Sequence, residues 1–190
     1  MVKKDADATR RNLLEAATRE FAEYGLAGAR VDRIAAASGA SKVMIYTYFG
    51  NKEALFDAVF AAVVADVVES VPIDAGDLAG YAGRLFDLYQ ASPHILRLAT
   101  WHTLERGPTA ETPASAAANK EKIAAVRRAQ RSGTISARVE PAELLALVLG
   151  LAATGMVEQA FDTSDARAVA RRRRTITAAV ELLTAATGPM

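Results

Sequence analysis

Residues 39–52 read Gly39-Ala40-Ser41-Lys42-Val43-Met44-Ile45-Tyr46-Thr47-Tyr48-Phe49-Gly50-Asn51-Lys52, and this stretch decides the fold. The run just before it, whose apolar residues fall on one helical face, is Val31-Asp32-Arg33-Ile34-Ala35-Ala36-Ala37-Ser38. Gly39 can adopt the left-handed conformation that ends a helix, and Ser41 is a suitable N-cap for the next one. The sequence therefore predicts two short helices joined by a tight turn.

The second of these helices has two different faces. Ile45 and Phe49 lie four residues apart and are expected to point inward, whereas Lys42, Tyr46 and Thr47 point outward. After it, a glycine ends the helix and an asparagine caps a further helix that begins with a lysine. This order of elements is typical of a helix-turn-helix, whose second helix lies in the major groove of DNA.

The composition indicates a globular, all-α protein of about nine helices. The chain has 190 residues, of which 51% are hydrophobic and 24% charged, and it contains no cysteine. No run alternates with the period of a strand. The lack of cysteine excludes disulfides, thiolate zinc sites and cysteine nucleophiles.

The charge distribution permits DNA binding without proving it. The formal net charge is only +1, while residues 1–52 contain nine Lys and Arg against six Asp and Glu. The N-terminus lacks the apolar segment of a signal peptide, and the longest uncharged apolar run, 144–157, is about 14 residues, too short for a bilayer. We therefore expect a cytoplasmic protein with no membrane contact.

Hydrophobic periodicity and capping residues predict the helices along the chain. Their approximate ranges are 9–24, 31–38, 41–49, 52–68, 77–91, 93–105, 114–131, 142–161 and 164–186. The helix from residue 52 is long enough to belong to both halves of the molecule. The helix from residue 142 is apolar on nearly every side and must be covered on nearly every side.

The N-terminal motif resembles that of the TetR/AcrR family of bacterial transcriptional regulators. The matching residues are Phe21 and Gly25, Val31-x-x-Ile34-Ala35, Gly39-x-Ser41-Lys42, Ile45-Tyr46-x-Tyr48-Phe49 and Asn51-Lys52-Glu53-x-Leu55. The resemblance implies a DNA-binding domain over residues 7–67, with the helix-turn-helix at 30–49. It also implies a helical effector-binding and dimerisation domain over 68–190.

The chain departs from the family pattern in two places. Ala29 and Arg30 precede Val31 where family members usually have Ser or Thr, which removes a hydroxyl N-cap worth about 1 kcal/mol. Val43 and Met44 stand where the family often has Gly or Pro and then Thr or Ala. These departures affect the base preference more than the docking.

Seven residues are candidates for DNA contact. Lys42 can donate to guanine O6 and N7, and Val43 can touch a thymine methyl. The other candidates are expected to contact phosphates, and the threonine either a phosphate or a base. These candidates are Arg30, Tyr46, Thr47, Tyr48 and Lys52. A lysine at a helix start is unfavourable without an anion, which a phosphate would supply. The alternatives are solvated lysines and tyrosines packed in the core.

The C-terminal region, by the same resemblance, binds a small apolar ligand that carries a hydrogen-bonding group. The candidate pocket residues are Phe86, Tyr89, Trp101, His102, Met156 and Phe161, each of which could instead be ordinary core. His102 and Glu105 lie three residues apart and more often form a surface pair. With only two histidines we expect no metal site, and no cofactor is predicted.

The last two helices are the expected dimer surface in this family. The candidate interface residues are Leu147, Gly150, Leu151, Thr154, Ile176, Val180 and Leu183. A two-fold dimer places two recognition helices about 34 Å apart and requires a palindromic operator. The run 171–174 of four arginines reads as a solvated helix face with salt bridges.

These observations predict a homodimeric, one-component transcription regulator, a repressor that a small molecule releases from double-stranded DNA. One alternative is a helical protein-interaction module that does not bind DNA. The other is an enzyme, although the sequence contains no nucleophile elbow, phosphate-binding glycine loop or metal motif.

Overall fold

The computed structural model describes residues 2–107, 112–154 and 165–186, with side chains from residue 8 onward. Every regular element in these ranges is a helix, which confirms the all-α prediction. The helices there are α1 (Val2–Gly28), α2 (Val31–Ser38), α3 (Lys42–Phe49), α4 (Lys52–Ser70), α5 (Leu78–Ala91), α6 (His94–Arg106), α7 (Pro113–Arg131), α8 (Pro141–Ala152) and α9 (Ala166–Thr184).

The first of two compact units comprises residues 1–66 and 93–114. Its core is formed by the apolar faces of α1, α2, α3, α4 and α6, and Phe21 of α1 meets Phe56 of α4 edge to face with ring centroids 5.1 Å apart. Ile34 and Ile45 are fully buried and hold the two short helices against this core. The packing therefore fixes the orientation of α3, whose opposite face stays open to solvent.

Packing groups the helices into units that are not continuous in sequence. The sequence places the end of the N-terminal domain at residue 67, whereas α6 belongs to the first unit, with Leu98 buried in its core. Helix periodicity cannot reveal this placement, because it says which face is apolar and not which partner covers it. The boundary at residue 67 stays a prediction.

The second unit comprises residues 67–92 and 115–190. Helix α5 packs against both α8 and α9, and its residues Tyr81, Leu85 and Phe86 are almost fully buried. Val148 of α8 and Val180 of α9 are fully buried in the same core. The helix predicted over 142–161 is observed as α8 to Ala152, and its positions from 155 onward lie outside the described residues.

The predicted caps around α3 are confirmed. The Ser41 hydroxyl accepts a hydrogen bond from the Met44 N–H at 3.1 Å, and the Asn51 side-chain oxygen accepts one from the Ala54 N–H at 2.7 Å. Each bond satisfies one of the N–H groups that a helix start leaves without an intrahelical partner. The two caps therefore set where α3 and α4 begin.

We expect Asn51→Ala to lower the free energy of unfolding by about 1 kcal/mol, because the Ala54 N–H loses its acceptor. Urea denaturation followed by circular dichroism measures the change. Asn12→Ala, on the exposed face of α1, is the matched control and should be neutral or slightly stabilising. Equal effects of the two substitutions would contradict the capping role.

Two helix boundaries differ from the prediction. Helix α1 begins well before Thr9, and Gly25 interrupts it with a φ of 66° before one more turn to Gly28. Ser92, the residue before the predicted helix 93–105, ends α5, where its N–H donates to the Leu88 carbonyl at 2.9 Å. The α6 start has no side-chain cap.

Candidate nucleic-acid interface

Helix α3 exposes large apolar and aromatic side chains on the face opposite its core contact. Val43 is 75% exposed, and the other large side chains exposed there are Met44, Tyr46 and Tyr48. Ile45 is buried and Phe49 half-buried, as the sequence predicted. Exposed apolar groups gathered on one short helix mark an interaction surface.

Two polar side chains of α3 bind partners within the unit. The Lys42 ammonium pairs with the Asp32 carboxylate of α2, and both side chains are exposed. The Thr47 hydroxyl donates to the Val43 carbonyl at 2.8 Å, one turn earlier on the same helix. Thr47 can therefore offer a DNA base only its methyl group or its oxygen as an acceptor.

The N-terminus of α2 is capped from another helix. Arg30 occupies the N-cap position without a side-chain cap, as the missing hydroxyl predicts. Its backbone N–H instead donates to a carboxylate oxygen of Glu20 on α1 at 2.8 Å. The Arg30 guanidinium is exposed, and within the described part of the chain it has no hydrogen-bond partner. It is therefore available to a phosphate.

Glu20 also binds Arg33 and so ties α1 to α2. The Arg33 Nε donates to both oxygens of Glu20, at 2.8 and 3.0 Å, and the Glu20 side chain is only 9% exposed. Burial raises the pKa of the Glu20 carboxyl, but the hydrogen bonds from Arg33 and Arg30 outweigh it, and the net pKa lies below its ordinary value. The hydrogen bond between Arg33 and Glu20 also raises the pKa of the Arg33 guanidinium.

The sequence reasoning missed this carboxylate, although a signal for it exists. Glu20 lies seven residues after Leu13 and three after Ala17, which places a charge on the buried stripe of α1. Tyr24, one turn after Glu20, is exposed, and its ring lies under the Arg33 guanidinium at 4.2 Å. A buried carboxylate on an apolar stripe requires a nearby cation.

Lys52 has an intramolecular partner at the start of α4. Its ammonium donates to the backbone carbonyl of Ala29 at 3.3 Å, next to Arg30. The two cations therefore lie near the same segment between α1 and α2. The helix dipole disfavours a positive ammonium at this position, and the Ala29 carbonyl supplies part of the negative charge that offsets it. A phosphate could supply the rest.

The candidate pocket residues fall into three groups. Phe86 is buried in the core of the second unit, and Tyr89 is half-buried there, with a pKa raised by burial. Trp101 and His102 belong to the first unit. Met156 and Phe161 lie outside the described residues. The common pocket predicted for all six stays a prediction.

Trp101 and His102 are engaged in the core of the first unit. A Cβ atom added to Gly25 would lie 2.7 Å from the Trp101 ring, so the indole covers the backbone there. His102 stacks on Phe60 with centroids 3.9 Å apart, and its burial lowers its pKa. The predicted surface pair of His102 with Glu105 is therefore wrong, because His102 is buried against α4.

The structure corrects two of the predicted dimer residues. Ile176 and Val180 are buried inside their own chain by α5, so they cannot also meet a second copy. Leu147 and Gly150 are exposed on α8, while Leu151, Thr154 and Leu183 are half-buried. Leu182, which was not a candidate, is 82% exposed. The apolar stripe of α9 thus faces inward, and a neighbouring face presents the exposed leucine.

The four consecutive arginines on α9 point in different directions, as helix geometry predicts. Arg173 binds both carboxylate oxygens of Asp87 at 2.9 and 2.8 Å, and Arg172 donates to the Thr154 carbonyl at 3.3 Å. Arg171 and Arg174 are exposed. Two of the four arginines thus bind their own chain, the other two face solvent, and the run does not form one basic patch.

Two further kinds of site are absent from the described residues. In these ranges no three His, Asp or Glu side chains come together as metal ligands. The helices described there also lack the combination of length and apolar character that crossing a bilayer requires.

Two family models match this chain and together cover most of it. The model described as bacterial regulatory proteins of the tetR family matches residues 13–59. The model described as the tetracyclin repressor-like C-terminal domain matches residues 77–181. The first match contains the whole helix-turn-helix and Glu20.

Similar proteins agree with these models. The HTH-type transcriptional repressor SCO4008 of Streptomyces coelicolor is 43% identical over 155 residues, which are 80% of each chain. The crystal structure of the regulator SCO4942 from the same species is 37% identical, with a TM-score of 0.80 over 94% of this chain and 99% of that one. A TetR-family regulator from Rhodococcus sp., 22% identical, shares the fold with a TM-score of 0.69 over 94% and 100%. The chain belongs to the TetR family of bacterial transcriptional regulators.

Proposed function

We propose that this protein represses transcription by binding a palindromic operator as a homodimer, and that a small molecule releases it. The observation that carries the proposal is the exposed face of α3, where Val43, Tyr46 and Tyr48 stand open to solvent. A protein that acts on chromosomal DNA works in the cytoplasm of the bacterial cell.

Each exposed residue of this interface has a role that its chemistry fits. Lys42 and Val43, in the first turn of α3, read base edges in the major groove. The phenols of Tyr46 and Tyr48 bind phosphates. Thr47 accepts a hydrogen bond from the DNA or packs its methyl group against it. The positively charged pair beside them, Arg30 and Lys52, holds the backbone. Asp32 pairs with Lys42 and so competes with DNA for it.

The dimer uses the outer faces of α8 and α9. Leu147 and Gly150 on α8 and Leu182 on α9 are exposed, and large exposed leucines favour burial against a second copy. Leu151, Thr154 and Leu183 border this surface. A two-fold pairing of this kind places two α3 helices about 34 Å apart, which matches one turn of DNA.

The effector binds the second unit, where Phe86 and Tyr89 lie, and shifts the population between two states. It must bind the two states unequally, since a ligand with equal affinity for both regulates nothing. The relative named as a repressor supports repression rather than activation for this chain.

Selection of bound duplexes from a random pool tests the proposal. We expect an enriched inverted repeat whose half-sites lie about 10 base pairs apart, bound by two chains per duplex. Mass photometry of the complex measures this stoichiometry. No enriched sequence, with the protein folded, would instead favour a helical protein-interaction module.

Two lysine variants separate base reading from backbone contact. We expect Lys52→Ala to weaken binding to all duplexes and to reduce the salt slope by about one unit, because one phosphate contact is lost. Lys42→Ala should weaken binding to the selected operator about tenfold and change the preference among operator variants. Fluorescence anisotropy over a salt series measures both.

The two outcomes are separable. An unchanged affinity and salt slope for Lys52→Ala would remove its phosphate role and leave the Ala29 contact as its only function. A uniform loss over all sequences for Lys42→Ala would make it a backbone contact. Lys120→Ala, exposed on α7 of the second unit, is the control and should change neither quantity.

A further inference from the structure

An ion pair joins the two helices of the helix-turn-helix at the start of α3. The Asp32 carboxylate, in the first turn of α2, pairs with the ammonium of Lys42, the first residue of α3. The two side chains are 68% and 53% exposed, and the next residue, Val43, is 75% exposed. The pair therefore lies in water beside the face of α3 that is assigned to DNA.

This ion pair contributes little to folding. Exposed pairs stabilise a protein weakly because water and salt screen the two charges. The start of α3 is already held by the Ser41 cap, and α2 is anchored by Ile34, which is fully buried. The placement of the carboxylate therefore matters more for what α3 binds than for whether the unit folds.

The three cations assigned to DNA contact differ in their partners. In the described part of the chain, the Arg30 guanidinium has no hydrogen-bond partner, and Lys52 donates to a backbone carbonyl. Lys42 is the one of the three that pairs with a carboxylate in these ranges. A negative side chain on a surface that binds phosphates opposes the binding of any DNA, so its effect falls first on the lysine that it holds.

The pair can persist when Lys42 contacts a base but not when it contacts a phosphate. An ammonium has three N–H groups, so Lys42 can donate to Asp32 and to guanine O6 or N7 at the same time. The base edge carries no net charge. A phosphate, in contrast, would bring a second negative charge close to the Asp32 carboxylate, and the two would repel each other.

We propose that Asp32 is a specificity-determining residue, which holds the Lys42 ammonium back from phosphates so that Lys42 adds affinity only where the operator presents a guanine. This inference rests on the proposed base contact of Lys42. A phosphate contact strengthens binding to every sequence, and the genome offers a large excess of other sites. Suppressing that contact raises the ratio of operator to non-operator affinity.

Fluorescence anisotropy of the full chain over a salt series tests the proposal on two duplexes. One is the inverted repeat enriched in the selection, and the other has the same length and composition with both half-sites scrambled. At about 0.15 M salt, Asp32→Asn should bind the scrambled duplex about fivefold more tightly, with a salt slope steeper by about one unit, because Lys42 then neutralises one more phosphate. Affinity for the enriched duplex should change by less than about twofold, since Lys42 already contacts a base there.

Two single variants separate this role from a general effect of charge. Asp66→Asn also removes an exposed negative charge from the first unit, but about 21 Å along α4 from Lys52, and should change neither affinity. Asp32→Glu keeps the charge and should bind the scrambled duplex as weakly as the unsubstituted chain. Thermal unfolding should show little change for either variant or for Asp32→Asn.

A double variant shows whether the effect of Asp32 acts through Lys42. In the Lys42→Ala background, Asp32→Asn should no longer steepen the salt slope or lower the ratio of the two affinities. An equal gain on both duplexes, or a gain that persists without Lys42, would reflect only the loss of a negative charge and would overturn the proposal. Unchanged binding of Asp32→Asn to the scrambled duplex would overturn it as well.

The scrambled duplex keeps this test distinct from that of the proposed operator. If the selection enriches no sequence, the operator proposal fails, while a gain on scrambled DNA that depends on Lys42 still supports the restraint by Asp32. If an operator is enriched and Asp32→Asn leaves scrambled binding unchanged, the restraint is overturned and the operator proposal stands.

Discussion

Replacing Gly25 with alanine is expected to lower the free energy of unfolding by about 3 kcal/mol, the sum of two costs. A residue with a side chain disfavours the φ of 66° that Gly25 adopts. The added methyl would also lie 2.7 Å from the Trp101 ring, which α6 places over this break in α1. Urea denaturation of the full chain measures the loss.

Two controls separate these costs. Gly39 has a φ of 71° and a ψ of 9°, the left-handed region that a side chain tolerates better than the ψ of −175° at Gly25, and no heavy atom lies within 4 Å of an added Cβ. Gly39→Ala should therefore cost only about 1 kcal/mol. Adding Trp101→Ala to Gly25→Ala should restore part of the loss, because the clash disappears. Equal costs at the two glycines would show that Trp101 does not constrain Gly25.

Removing the Glu20 carboxylate is the second change with a large expected effect. Glu20→Ala should lower the free energy of unfolding by about 2 kcal/mol, because the Arg30 N–H loses its acceptor and the Arg33 guanidinium keeps only the Gly28 carbonyl. It should also weaken operator binding, since this carboxylate fixes the start of α2, against which α3 packs. Calorimetry and anisotropy measure the two effects. Glu15→Ala, exposed on the same helix, should change neither.

The stability that Glu20 contributes depends on pH with a definite sign. Its pKa in the folded chain is lowered from 4.5, so the folded state favours the ionised form. The contribution is complete above the unfolded pKa and is lost as the pH falls through the folded one. The difference between the two proteins should therefore be constant at neutral pH and shrink below about pH 4.5. A difference that does not change with pH would contradict the ionised pair.

Much of the DNA-binding surface could be read from the sequence because its signals are local. Ser41 and Asn51 cap helices through bonds to N–H groups three residues on, and Ile45 and Phe49 share a face through helix geometry alone. The capping of α2 could not be read in this way. Its acceptor, Glu20, is ten residues away on another helix.

The predictions for the C-terminal region were less accurate for the same reason. Ile176 and Val180 lie on a genuine apolar stripe, and the sequence cannot say whether α5 or a second copy covers it. His102 combines an aromatic ring with a polar group, as a pocket residue does, yet its ring stacks on Phe60 of the same unit.

The sequence alone determined the helix-turn-helix, its caps and its outward residues. Helical spacing and capping involve residues only a few positions apart, so they appear as a pattern in the sequence. Only the tertiary structure decided that α6 packs with the N-terminal helices, that Glu20 replaces a hydroxyl cap, and which faces of α8 and α9 stay exposed. These features depend on contacts between residues distant in sequence. Side-chain burial, which sets the cost of a charge and the availability of a surface, follows from such contacts and has no local signal.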